Sequence, residues 1–243
     1  MKHIRSSLLL AIPVALFVFS CRKENPPGPT GPTGPPAAGL IRFDSMAVGQ
    51  ISKYIGLTGE DYYTSNNDNY QYVDDTLVLE IVAQDANGFL VAESLHYVGD
   101  VYPWIGEHPD SVYHYYLEVK DDTLKAKKVP GPSQWPYPDS RIFSFRTAMN
   151  DGGLPLAQIT SPKVDILGWK TSLGYCECRR EAYTEDYTLF GVDYPPLNVI
   201  VDNSAMAFDG NGETYVYSKE TGVVRFSTYG WWTQSGYGWD LLP

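Results

Sequence analysis

The stretch of residues 76–95 reads Thr76-Leu-Val-Leu-Glu-Ile-Val-Ala83, then Gln84-Asp-Ala-Asn-Gly88, then Phe89-Leu-Val-Ala-Glu-Ser-Leu95. β-Branched and other apolar residues dominate its first and last parts, as is typical of strands. The middle part contains Asp, Asn and Gly, which favour a turn. The stretch therefore predicts a β-hairpin over residues 76–95.

The same alternation of short apolar runs and turn residues recurs along the chain. It predicts two more hairpins, 112–120 with 123–129 and 214–218 with 222–227, and single strands at 142–145, 164–169, 188–192 and 198–201. Beyond residue 40, no window of eleven residues keeps a helical period. We therefore expect one all-β domain over residues 40–243, an antiparallel meander that forms a barrel, half-barrel or sandwich.

Composition narrows the class of protein further. The 243 residues include 18 Lys and Arg against 29 Asp and Glu, a net charge of −11. Nucleic-acid binding needs clustered Lys and Arg, so we expect no nucleic-acid partner. Aromatic residues make up 14% of the chain, including 19 Tyr, which is too many for a disordered protein.

The N-terminus has the pattern of a secretory signal. Lys2 and Arg5 precede an apolar run, Leu8 to Phe19, that is too short to span a hydrocarbon core of about 30 Å. The run ends in Val18-Phe19-Ser20-Cys21, which resembles the lipobox of bacterial lipoproteins. The resemblance implies that residues 1–20 are removed and that Cys21 carries a diacylglycerol thioether and an acylated amino terminus.

The resemblance also implies a location. Arg22, rather than Asp, follows the lipidated cysteine, which points to the outer membrane, on its periplasmic face or at the cell surface. Glycines at 28, 31 and 34 then give three collagen-like triplets, too few for a stable triple helix. We read residues 21–39 as the lipid anchor and a Pro/Gly tether of polyproline-II type.

A second, weaker resemblance concerns the C-terminal half. Tyr187-Thr-Leu-Phe-Gly191, Thr214-Tyr-Val-Tyr-Ser218 and Gly222-Val-Val-Arg-Phe226 are similar to the closing strands of periplasmic half-barrels of the lipoprotein-carrier type. In those proteins a curved sheet holds acyl chains. The similarity concerns the fold and does not by itself assign a function.

The remaining cysteines form the pair Cys176-Glu177-Cys178. On a regular strand their Cα atoms would lie about 6.5–7 Å apart, at the upper limit for a disulfide, so a bridge requires a bend or bulge. A mutual disulfide is the preferred interpretation for an oxidising compartment, and unbridged cysteines or a metal or redox role are the alternatives. Two thiolates alone do not complete a zinc site.

Two other groups of residues raise the question of a metal. Glu107-His108-Pro109-Asp110 lies near His114, but Pro109 prevents a helical zinc motif. Asp209-Gly-Asn-Gly-Glu213 has the first oxygens of a calcium loop, but Asp and Asn beside Gly are also what a tight turn requires, and the turn is the interpretation we prefer. We expect no metal and no cofactor, and no catalytic residues are identified.

The densest aromatic cluster lies at the C-terminus and comprises Tyr229, Trp231, Trp232, Tyr237 and Trp239. These side chains either bind a ligand or close the core. The function we expect is a lipid-anchored envelope protein whose β domain is non-catalytic, binding a lipid, a glycan or an envelope protein or serving a structural role. The competing interpretations are an envelope hydrolase on a β scaffold and a partner subunit of an outer-membrane complex.

Overall fold

The structure is a computed structural model that describes residues 39–59, 70–96, 112–130, 140–143, 148, 152–168, 170–205, 211–230 and 235–243. All of them belong to the second of two units into which the chain divides, Pro36–Pro243. The predicted signal peptide, the lipobox cysteine Cys21 and residues 22–38 of the tether lie outside the described residues, while the Gly39 carbonyl accepts the N–H of Ile51 at 3.2 Å. The signal peptide, the lipidation of Cys21 and the tether stay predictions from the sequence.

Every element with described bounds is a β-strand. The strands are β1 Ile51–Gly59, β2 Tyr70–Asp85, β3 Gly88–His96, β4 Val112–Lys120, β5 Thr123–Lys128, β6 Leu154–Pro155, β7 Ile166–Leu167, β8 Lys170–Thr171, β9 Arg179–Thr184, β10 Thr188–Leu189, β11 Val192–Asp193, β12 Leu197–Asp202, β13 Asn211–Ser218, β14 Gly222–Gly230 and β15 Gly236–Leu241. Eleven of them form one curled half-barrel sheet that is antiparallel throughout. The all-β prediction is confirmed.

The strand order of the sheet is β6-β5-β4-β3-β2-β1-β15-β14-β13-β12-β9. Strands β1 to β6 form one meander and β12 to β15 form another. The two meanders join where β1 pairs with β15, with Tyr54 opposite Leu241 and Gly56 opposite Trp239. The last strand of the chain therefore lies at the centre of the sheet, and the edges are β6 and β9.

Local turn chemistry explains the hairpins. In β2–β3 the Asp85 carboxylate accepts the N–H of Asn87 at 2.7 Å, and Gly88 has φ +125° with the Leu117 carbonyl close against it. In β4–β5 the turn residues Asp121 and Asp122 both have φ near +50°, the type I′ geometry that fits the twist of a two-residue hairpin. These two hairpins and the β13–β14 hairpin are confirmed, with strand ends shifted by a few residues.

The inner face of the curled sheet holds the main core. Alternate residues of the two meanders point inward and meet there, and the largest fully buried side chains among them are Leu77, Ile81, Leu117, Leu124, Leu154, Ile200, Tyr215 and Tyr217. Residues 140–143 also enter this space, with Ile142 and Phe143 completely buried. The Tyr215 hydroxyl donates to the Ile142 carbonyl at 2.8 Å, so this segment is tied to the sheet.

A stretch of chain links the two edges of the sheet. After β6, residues 155–159 (the crossing segment) run past Asn198 of β12, which is 1% exposed. The Asn198 amide nitrogen donates to the carbonyls of Pro155 and Ala157, and its oxygen accepts the N–H of Ile159 and the side-chain amide of Gln158. Lys163 then forms a parallel bridge with Tyr183, so the chain covers part of the edge at β9.

Three predicted strands differ from the structure. At 142–145, the described residues Ile142 and Phe143 lie in a bend, because both N–H groups bond to the Ser140 hydroxyl oxygen. The predicted strand 164–169 is reduced to Ile166–Leu167. The predicted strand 188–192 is interrupted by a turn at Phe190 and Gly191, both with positive φ, and becomes the two short strands β10 and β11.

Candidate functional site

The outer face of the sheet carries an added layer over β9 and β12 to β14. This outer layer comprises residues 164–168, 170–173 and 187–194, and its apolar side chains pack on these strands. Ile166 contacts both small outer cores, while Tyr187, Leu189 and Tyr194 cover Val216 and Val224. The layer ends next to a buried ion pair, which forms the base of the candidate site.

The ion pair joins Arg225 of β14 to Asp240 of β15. The Arg225 Nε donates to Asp240 Oδ1 at 2.5 Å and Nη2 donates to Oδ2, a bidentate arrangement in which the two side chains are 4% and 0% exposed. Arg225 Nη1 also donates to the Gly168 carbonyl of the outer layer at 3.1 Å. Burial by itself lowers the pKa of Arg225, but the bonds and charge of Asp240 outweigh it and raise the pKa overall.

A β-bulge explains why Arg225 faces outward. The pairing of β13 with β14 shifts between Val216 and Tyr217, so Val224 and Arg225 together oppose Val216. Val223 therefore belongs to the inner core, whereas Val224 packs in the outer one. On β15, Trp239 and Leu241 point inward, so Asp240 between them points outward to meet Arg225.

Tyrosines surround the ion pair. The Tyr72 hydroxyl donates to Asp240 Oδ2 at 2.8 Å, and the Arg225 guanidinium lies 5.2 Å from the centre of the Tyr70 ring. Tyr187 and Tyr194 add a second aromatic contact, with ring centres 6.3 Å apart. Burial, followed by the charge of Asp240, raises the pKa of Tyr72, so this side chain is a neutral phenol.

Two rings of the cluster reach solvent. Tyr72 is 40% exposed and Phe190 is 42% exposed, and their ring centres lie 5.2 Å apart with the planes inclined at 44°. We call these two residues the ring pair. Phe190 occupies the first central position of the β10–β11 turn at φ +51°, followed by Gly191 at φ +77°. A left-handed conformation costs a residue such as Phe about 1–2 kcal/mol.

A second buried carboxylate lies on the opposite face. Glu93 of β3 points into the inner core, where it accepts the Arg141 N–H at 2.6 Å and the Ser140 hydroxyl. Burial raises the pKa of Glu93, although these two donors act in the opposite direction. Glu93 and Asp240 therefore lie on different faces, and each is engaged by its own hydrogen bonds rather than facing the other.

The structure divides the predicted C-terminal aromatic cluster. Trp239 is 5% exposed and packs in the inner core, and Tyr229 is 3% exposed with its hydroxyl on Asn203 Oδ1 at 2.5 Å. These two therefore take the core alternative. Tyr237 is 40% exposed, on the same side of β15 as Trp239. Trp231 and Trp232 lie outside the described residues.

The cysteine pair forms a disulfide in the structure. Cys176 and Cys178 are bonded, with Cα atoms 5.3 Å apart, shorter than the spacing expected on a regular strand. The difference arises because residues 174–178 precede β9 as a bend. The guanidinium of Arg180 donates to the Leu173 carbonyl at 2.9 Å and to that of Gly174, which closes the same bend.

The two candidate metal regions do not converge. His114 is exposed on β4 opposite Ala92, and His96 lies four residues further along β3, about 13 Å away. Glu107 to Asp110 lie outside the described residues, as does Asp209, while Asn211 to Glu213 form the start of β13. Within the described ranges, no three His, Cys, Asp or Glu residues are grouped so that they could hold a metal ion.

The candidate site was not found from the sequence. Its residues come from β2, the β10–β11 turn, β14 and β15, and Tyr72 lies 168 positions from the Asp240 that it contacts. One local signal was present: a Phe-Gly pair stands where a two-residue hairpin favours Asn-Gly. Because residues 188–192 were read as one strand, that signal was missed.

Comparison with known proteins yields no relative. No family model, no curated protein and no solved structure matches the chain. Among the described residues, no helical segment has the length and apolarity that a membrane span needs.

Proposed function

We propose that this chain is a lipid-anchored lipoprotein of the cell envelope whose β domain binds a ligand, without catalysis, on its outer face. The observation that carries the binding role is the ring pair Tyr72 and Phe190, exposed in direct contact above a buried ion pair. Exposed aromatic faces on a rigid support are typical of recognition sites. Among the described residues the inward-pointing side chains are mostly buried in the core, with Tyr237 exposed at 40%, whereas the outer face offers two exposed rings in contact, which favours it as the binding surface.

The anchor is proposed on the lipobox Val18-Phe19-Ser20-Cys21 and the Pro/Gly segment behind it. Several acyl chains together give stable membrane attachment, whereas a single chain gives only marginal attachment. Removal of the signal would leave a chain with 16 basic and 29 acidic residues, a net charge of −13. Such a chain is repelled by anionic headgroups, so the lipid must supply the attachment to the outer membrane.

The test of the anchor uses metabolic labelling with a radioactive fatty acid. The wild-type protein should carry label and fractionate with the outer membrane, and Cys21→Ala should carry none. Label on the Cys21→Ala protein would overturn the lipobox assignment.

The test of the binding role uses a purified protein of residues 21–243 with Cys21→Ala, which lacks both the apolar run Leu8 to Phe19 and the acyl chains that would otherwise insert into vesicles. It is incubated with neutral polysaccharides and, separately, with dioleoylphosphatidylcholine vesicles. Retention by at least one of these materials, reduced by Tyr72→Ala, supports the proposal. Retention by neither would overturn it. The competing hydrolase would instead release shortened products from the polysaccharide, and a partner subunit would co-purify with a second chain from detergent-solubilised membranes.

A further inference from the structure

We propose that the ring pair is a stacking site for a neutral oligosaccharide, which rests on the proposed binding function and names its ligand class. The ring of Phe190 is presented by the β10–β11 turn. Both central residues of that turn have positive φ, which Asn and Gly adopt easily and Phe does not. A strained residue of this kind persists where it has a role that a better turn residue would not fulfil.

Packing does not account for Phe190. Its ring contacts Tyr72, yet 42% of the residue stays exposed to solvent. The apolar contacts that hold this hairpin to the sheet are made by Leu189, which is 6% exposed, together with Tyr187 and Tyr194. The strain at Phe190 therefore serves to present an aromatic face beside Tyr72 rather than to close a core.

The orientation of the Tyr72 side chain is fixed by the buried ion pair of Arg225 and Asp240. Its hydroxyl donates to Asp240 Oδ2, and Asp240 in turn is held by two donors of Arg225. The Tyr70 ring also packs edge-on against Tyr72, with the ring centres 6.0 Å apart. The ring pair is thus preorganised, and a ligand would not have to order these side chains on binding.

The chemistry of the surroundings selects the ligand. The Arg225 guanidinium beneath the rings is already paired with Asp240, so this cation is not available to attract an anionic ligand. The acidic balance of the whole chain repels anions as well. Two half-exposed rings on the outer side of a curled sheet offer flat contact and little enclosure, whereas an acyl chain needs a concave pocket that covers it.

A pyranose ring fits these conditions. One of its faces is lined by C–H groups that can lie flat on an aromatic ring, while its hydroxyl groups stay hydrated at the rim. The inclination of 44° between the two rings suits successive sugar units of a twisted chain better than one flat heterocycle. We therefore assign the ring pair to a neutral glycan of two or more units.

The experiment measures the affinity of full-length protein for soluble xylan, starch and dextran by retardation in native gels, with and without each polysaccharide. The decisive variant is Phe190→Asn, which creates the favoured Asn-Gly turn. We expect its thermal midpoint to be equal to or above that of the wild type, while retardation weakens about tenfold or more, as loss of a stacking ring predicts. Tyr72→Phe should keep stacking, and Tyr72→Ala should lose it.

Tyr175→Ala is the matched control, because Tyr175 is also exposed, at 57%, but lies on the bend at the disulfide. It should leave retardation unchanged. Equal retardation of the wild type and Phe190→Asn, or no retardation by any of the three polysaccharides, would overturn the glycan assignment. In the second case, vesicle binding by Cys21→Ala protein that depends on Tyr72 would leave the proposed binding function standing, and its absence would remove both.

Discussion

Removing the Asp240 carboxylate should destabilise the domain far more than removing any surface carboxylate. Asp240 accepts two hydrogen bonds from Arg225 and one from the Tyr72 hydroxyl, and its side chain is completely buried. In Asp240→Ala the Arg225 cation stays buried against the Gly168 carbonyl and the Tyr70 ring, with no carboxylate among its described partners. An uncompensated buried charge of this kind costs about 3–5 kcal/mol. Total stabilities of domains are about 5–15 kcal/mol, so the loss should be large.

The assay is urea unfolding followed by tryptophan fluorescence, with the free energy of unfolding extrapolated to water. The matched control is Glu185→Ala, which breaks the surface pair of Lys163 and Glu185, whose side chains are 45% and 42% exposed. That change should cost less than about 1 kcal/mol and less still in high salt. The double variant Arg225→Met/Asp240→Leu should recover much of the loss, because it removes both charges together.

Two outcomes of the unfolding measurements would contradict the expected role of the ion pair. If Asp240→Ala costs no more than Glu185→Ala, the ion pair is not buried as described. If Arg225→Met/Asp240→Leu is as unstable as Asp240→Ala, the loss comes from packing and not from the unpaired guanidinium. The first outcome would also mean that the ring pair lacks a rigid support, because Tyr72 is oriented through Asp240.

Two further changes test the inner face. Burial raises the pKa of Glu93 above its ordinary value of 4.5, so the folded state binds this proton more tightly, and the stabilisation is lost as the pH rises from 4.5 through the folded-state pKa. Glu93→Gln should flatten this part of the pH profile in urea unfolding, and an unchanged slope would contradict it. Asn198→Ala removes four hydrogen bonds to the crossing segment and should cost about 2–4 kcal/mol in the same assay. A loss below about 1 kcal/mol would show that the segment holds its place without Asn198.

The hairpins could be predicted because their signals are local. Asp121-Asp122 and the 84–88 stretch place residues that tolerate positive φ between two apolar runs, and the backbone must reverse there. The turn at Phe190-Gly191 has the same geometry, but Phe is rare at this position. The sequence therefore indicated a continuous strand, and this error concealed one half of the ring pair.

The centre of the sheet could not be predicted in the same way. Strand β1 contains two glycines and a lysine, so its apolar run is interrupted. Its two neighbours are β2 and β15, and the second lies about 180 residues further along the chain, where no local pattern records the pairing. The all-β antiparallel class follows from the number and spacing of strands, whereas the choice of a half-barrel over a closed barrel or sandwich, and the joining of the two meanders, depend on contacts between distant residues.

Strand β15 shows why a cluster in sequence is not a cluster in space. Trp239 and Asp240 are adjacent, yet the pleat sends the tryptophan into the inner core and the aspartate to the outer face. The aromatic density at the C-terminus thus contributes to the core through Trp239 and Tyr229, while the exposed rings are supplied by β2 and the β10–β11 turn.

The two rings of the ring pair are not held equally firmly, because they belong to different elements of the fold. Tyr72 belongs to the long central strand β2 and is bonded to the ion pair, whereas Phe190 is carried by a hairpin of two residue pairs. A hairpin that short opens at a lower free energy than the sheet beneath it. Opening would remove Phe190 from Tyr72 without disturbing Arg225 and Asp240. Affinity for a ligand on the ring pair should therefore fall on mild warming, before the tryptophan fluorescence reports unfolding of the sheet.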